Sequence, residues 1–183
     1  GLRSAFGSTV HTSGELYVTD NGPNELFGDE VFDGCDSSRA STGHGDKVVR
    51  LVRGAHYGHP NPNRGRDDPA QCTYKWPNEA ETADYKPPLV AFADGSHDGI
   101  VEVLSNVFPA MKHDVLVSKF STGNRANDGL LKLIHLSDAG ADDPPTVTDV
   151  HPASGLDIES TPSGAYYLPR TQKGELLAIV PVY

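Results

Sequence analysis

Three stretches of this chain repeat one pattern, and their spacing limits the folds open to it. His11 to Thr19 reads HTSGELYVT, and Thr161 to Pro169 reads TPSGAYYLP. In both, Ser-Gly precedes alternating apolar residues, a tight turn feeding a strand. Lys112 to Phe120, KHDVLVSKF, is again a polar turn before an apolar strand. Aligned on Glu15, Asp114 and Ala165, the repeats lie 99 and 51 positions apart, so a period near fifty residues accounts for all three. Short strands recurring at such a period are the sequence signature of propeller blades.

Apolar alternation places strands coarsely at Phe6–His11, Glu15–Asp20, Lys47–Val52, Leu89–Ala93, Ile100–Leu104, Val115–Phe120, Leu130–Leu136, Thr146–Val150, Leu156–Ser160, Ala165–Leu168 and Glu175–Val182. The expected fold is all-β: a single partial propeller domain over 1–183, with blades at approximately 1–93, 94–151 and 152–183. That is two four-stranded blades and three strands of another. A long Pro-, Asn- and Asp-rich loop separates Arg53 from Pro88, too long for a plain hairpin and expected to be functional or disulfide-tied. Propellers typically have 4–8 blades, so the rest is expected from the same chain or from other chains. A self-contained β-sandwich is the rival fold, and it leaves the fifty-residue spacing unexplained.

Composition narrows the function classes. The 183 residues carry 25 Asp and Glu against 15 Lys and Arg, a net charge of −10. Nucleic-acid binding needs a basic footprint, so that partner class is not expected. No apolar run approaches the roughly 18 residues of a membrane span. The opening GLRSAFG reads like the middle of a chain, and a processed or partial piece of a secreted, extracellular protein is expected. Cys35 and Cys72 lie in polar, loop-like sequence without zinc-type spacing, and a disulfide between them is expected; two separate free thiols are the alternative.

After the first repeat the chain gathers hard oxygen donors in TDNGPNELFGDE, and VVRLVRGAHYGHP follows. Together with the opening GLRSAFG, these segments resemble the glucose/sorbosone dehydrogenase-like family, which includes the soluble quinoprotein glucose dehydrogenases. The resemblance covers about the first sixty residues; beyond them the chain matches only as propeller sequence, corresponding to the family's C-terminal half. It implies a six-bladed propeller binding pyrroloquinoline quinone and calcium. On the positions that match, Gly22, Pro23, Glu30 and Tyr57, with Asp29 beside them, would form a calcium site. Backbone carbonyls plus one or two carboxylates suit that hard cation. The alternative is that Asp20, Asn21 and Asn24 only hydrogen-bond a turn while Glu30 is solvated. Arg3 matches the arginine facing the quinone's carboxylates, and Lys119 falls where the family carries a cofactor-binding lysine.

The chain also departs from that pattern. Ser4 and Ala5 stand where the family has Asn and Pro, and His59 where it has Trp. No histidine matches the family's catalytic base, so no catalytic residue is assigned. No nucleophile elbow, Walker loop or G-x-G-x-x-G occurs. Two readings follow: a non-catalytic, calcium-binding module for binding or extracellular assembly, with carbohydrate as a possible ligand, or the C-terminal half of a quinone-dependent sugar or aldehyde dehydrogenase. A lactonase-like propeller is compatible with the fold alone, which does not decide function.

Overall fold

The computed structural model describes residues 1–22, 46–58, 84–92, 96–120, 131–136, 144–152, 154–171 and 173–181. Among them the chain is all-β, with one turn of 3-10 helix at Pro109–Met111. Eleven strands are present among the described residues: β1 Ala5–Val10, β2 Leu16–Asp20, β3 Lys47–Arg50, β4 Val90–Ala91, β5 His97–Glu102, β6 Val115–Lys119, β7 Leu131–His135, β8 Thr146–His151, β9 Glu159–Ser160, β10 Tyr166–Arg170 and β11 Glu175–Ile179. They form three sheets, in the orders β1-β2-β3-β4, β5-β6-β7-β8 and β11-β10-β9. The paired registers of the second and third sheets and of β3 with β4 are antiparallel, and the fold class is a partial β-propeller.

The strand expected from Ile100 begins earlier, at His97, because the β5–β6 register shifts between His97 and Ile100. Apolar alternation breaks at such a bulge, and the sequence pattern starts only after it.

By backbone proximity the chain divides into two compact units. One comprises Gly1–Ala5 and Asp20–Gly95, the other Phe6–Thr19 and Ser96–Tyr183. In the first, Val48 and Val49 of β3 are fully buried, and Tyr57 and Val90 are nearly so. The ends of the 53–88 segment are tied together by a parallel bridge between His56 and Tyr85. The His56 N–H donates to the Asp84 carbonyl at 2.9 Å, and the Lys86 N–H donates to the His56 carbonyl at 2.8 Å.

The second unit is built on the core of Val103, Leu116, Leu131, Leu133, Ile158, Tyr166 and Leu168. Val115 to Ser118 of β6 are buried on both faces, so this central strand reads as a continuous apolar run rather than an alternation. Each of the three repeats places a left-handed residue just before its strand: Gly14 at φ 88°, His113 at φ 69° and Gly164 at φ 87°. In the first and third repeats the turn closes alike, the Gly14 N–H donating to the His11 carbonyl at 2.8 Å and the Gly164 N–H to the Thr161 carbonyl at 3.0 Å. In the second, the His113 N–H instead donates to the Val103 carbonyl at 2.8 Å, and the Asp114 N–H closes the turn on the Met111 carbonyl at 3.0 Å. The fifty-residue repeat thus shares a left-handed residue as well as an apolar pattern.

Candidate functional site

The polar cluster that includes three of the sequence-derived positions, Arg3, Gly22 and Tyr57, lies within the first unit. β2 ends at Asp20, whose carboxylate is completely buried. A buried carboxylate needs donors, and the segment at residues 3 and 4 supplies them. Asp20 Oδ1 accepts from the Ser4 N–H at 2.7 Å and from the Arg3 N–H at 2.9 Å, and Oδ2 pairs with Lys47 Nζ at 3.3 Å. The Asn21 N–H returns a bond to the Ser4 carbonyl at 3.0 Å. Asp20 thus binds a segment sixteen and seventeen residues away in sequence rather than its own turn.

Two cations close the cluster. The Arg3 guanidinium donates through Nη1 to the Gly22 carbonyl at 2.8 Å, with the Asn21 carbonyl at 3.4 Å. Lys47 Nζ donates to the Tyr57 carbonyl at 2.8 Å. The Gly22 N–H donates to Asp46 Oδ1 at 2.8 Å, so the turn after β2 is held from both sides. The Tyr57 hydroxyl donates to the Arg50 carbonyl and accepts from the Val52 N–H, both at 2.7 Å. Arg3 and Lys47 balance Asp20 and Asp46, and a charge-neutral, hydrogen-bonded cluster of this kind rigidifies the strand end.

Of the expected ligands, Gly22 and Tyr57 fall in this cluster, and each presents a carbonyl oxygen that accepts a bond from a cationic side chain. Pro23, Asp29, Glu30, Cys35 and Cys72 lie outside the described residues. Lys119, the last residue of β6, is half-buried and belongs to the other unit. Asp46 and Lys47 were not singled out in the sequence. The signal was a lone Asp-Lys opening an apolar strand, a pair that also occurs on solvated strand ends.

No family model matches the sequence, and no curated protein does. Similarity appears at the level of fold. One solved structure, a glucose dehydrogenase, superposes on the whole chain with a TM-score of 0.65 at 17% identity. A second, also a glucose dehydrogenase, does so with a TM-score of 0.67 at 16% identity. The chain spans about half of those proteins, 45% of one and 46% of the other. It therefore has the all-β fold of a partial propeller of the glucose-dehydrogenase type. At this identity the likeness is one of fold alone.

Proposed function

We propose that this chain is a non-catalytic propeller module of a secreted protein, serving binding or extracellular assembly. One observation carries the reading. The guanidinium that the family resemblance assigns to the quinone's carboxylates is engaged within the chain, on the carbonyls of Gly22 and Asn21. An arginine holding a strand-end turn serves as a clamp rather than as an anion fork. The apolar exposure of Phe6 and Val10 on β1, and of Leu176 on β11, supports cover by further blades, from the same chain or another.

Calcium belongs to this reading as an ion organising the turn. Asp29 and Glu30 would supply its carboxylates and Pro23 a carbonyl. The carbonyls of Gly22 and Tyr57 already accept from Arg3 and Lys47, so each would share its oxygen between the ion and a cationic side chain that repels it. Added calcium is expected to raise the melting temperature of the protein, and Glu30→Gln to abolish most of that rise. An identical melting temperature with calcium and with chelator would remove the ion from the reading.

The alternative, half of a quinone-dependent sugar or aldehyde dehydrogenase with Arg3 and Lys119 on the cofactor, is favoured by the fold shared with two glucose dehydrogenases. A dye-reduction assay with quinone, calcium and a panel of aldoses separates the two. No sugar-dependent reduction is expected. Reduction that disappears in Arg3→Ala would overturn the non-catalytic module.

A further inference from the structure

A second polar cluster lies in the other unit, on the turns of the repeat. His11 follows β1 at the start of its turn, Glu102 closes β5, and His113 occupies the turn before β6. Glu102 Oε1 lies 2.8 Å from His113 Nδ1 and 3.4 Å from His11 Nε2, and the three ligand atoms lie within 4.8 Å of one another. The Thr12 hydroxyl donates to Glu102 Oε1 at 2.7 Å, and the Thr12 N–H donates to Oε2 at 2.8 Å. Two ligands at about 2.1 Å from a tetrahedral ion stand roughly 3.4 Å apart. The His11–Glu102 separation of 3.4 Å meets that figure, and the Glu102–His113 pair, now a hydrogen bond of 2.8 Å, must open for the ion to enter.

The backbone supplies an independent sign. His113 takes the left-handed position that Gly14 and Gly164 take in the other two repeats. A side chain there costs about 1 kcal/mol or more relative to glycine, and such outliers concentrate where a side chain is needed for function. The ring that this turn carries is the one that meets Glu102. Burial alone would raise the Glu102 carboxyl, yet hydrogen bonds from His113 and Thr12 and the adjacent His11 hold it below the usual carboxylate range. The group is thus kept as an anion. His11 Nδ1 accepts the Ser13 N–H at 3.0 Å and Nε2 lies 2.8 Å from the His113 carbonyl, so Nε2 carries the hydrogen and gives up that bond to take an ion. The Glu102 side chain is 3% exposed and that of His113 48%, so the cluster is buried on one side and open to solvent on the other.

We propose that His11, Glu102 and His113 bind a divalent transition-metal ion of the zinc class. Two imidazoles and one carboxylate suit such an ion rather than calcium, whose ligands are all oxygen. On binding, His113 Nδ1 and His11 Nε2 give up their hydrogens to the ion: a protonated ring releases its extra proton to solvent, and a neutral ring carries its hydrogen on the other nitrogen instead. The fourth coordination position faces the open side.

The test uses the whole chain freed of metal with chelator, then titrated calorimetrically with zinc and spectroscopically with cobalt. One zinc per chain is expected, with visible cobalt absorption of tetrahedral intensity. His113→Gly is the informative variant because this turn accepts glycine, so the fold is retained. Its metal-free melting temperature should lie within about 4 °C of the parent, while zinc affinity falls at least tenfold. Glu102→Gln should lose affinity likewise, and His151→Gln, on exposed β8, should keep it. Zinc affinity unchanged in both His113→Gly and Glu102→Gln, or no binding at millimolar zinc, overturns the site.

Discussion

Tyr166 illustrates how a single buried atom sets stability. Its ring packs in the second core beside Phe108, with centroids 6.2 Å apart, and its hydroxyl is buried with no hydrogen-bond partner among the described residues. An unmet buried hydroxyl destabilises by about 1–3 kcal/mol. Tyr166→Phe keeps the ring and removes that group, so it should raise the melting temperature by a few degrees. Burial also pushes the phenol's pKa upward. The folded state then holds its proton to higher pH than the unfolded chain does. The associated stability is complete below the ordinary phenol value near 10 and is lost as pH rises through the folded value. The parent should therefore lose stability above about pH 10 more steeply than Tyr166→Phe does. A lower melting temperature for the Phe variant at neutral pH would show that the hydroxyl is satisfied after all.

Strands were the most legible level of the sequence, because burial of one or both faces imprints directly on apolar spacing. Each of the eleven expected runs overlaps an observed strand, and the misplaced end at His97 is where a bulge breaks the period. The polar cluster of the first unit was legible only in part. Arg3 and Gly22 stood out through resemblance, whereas their bonds to Asp20, Asp46 and Lys47 join residues remote in sequence and leave no periodic trace. The His11–Glu102–His113 cluster was invisible for the same reason, with Thr12 and Glu102 meeting across 90 residues. Glycines in strands carry a comparable hidden constraint. A Cβ on Gly99 of β5 would come within 2.6 Å of the Asp157 Cα and the Ile158 nitrogen, both backbone atoms that cannot turn aside. Gly99→Ala should therefore destabilise the fold by about 1–3 kcal/mol, read as a lower denaturation midpoint at unchanged slope. Unaltered stability would mean that β5 and the segment at 157–158 separate without loss.

Across the whole molecule, the second unit is assembled from segments far apart in the chain. Residues 6–19 belong with 96–183, and they contribute specific bonds rather than bulk alone. The Thr19 hydroxyl donates to the Asp98 carbonyl, Thr12 to the Glu102 carboxylate, and His11 Nε2 lies 2.8 Å from the His113 carbonyl. Without residues 6–19, Glu102 keeps only His113 among these partners, and a buried carboxylate short of donors is strongly destabilising. Glycine at position 7 points to the same dependence: its Cβ position lies 2.3 Å from the Asp98 carbonyl, so β1 is seated directly on β5. A polypeptide of residues 96–183 should consequently lack the sharp cooperative melt of the parent, and its near-ultraviolet circular dichroism should be weak. Adding a peptide of residues 1–22 should restore part of both signals, since it returns the donors to Glu102 and Asp98. A fragment that melts as sharply and at the same temperature as the intact chain would show that the two later sheets are self-sufficient, and that the contacts of β1 and β2 are incidental to the second core.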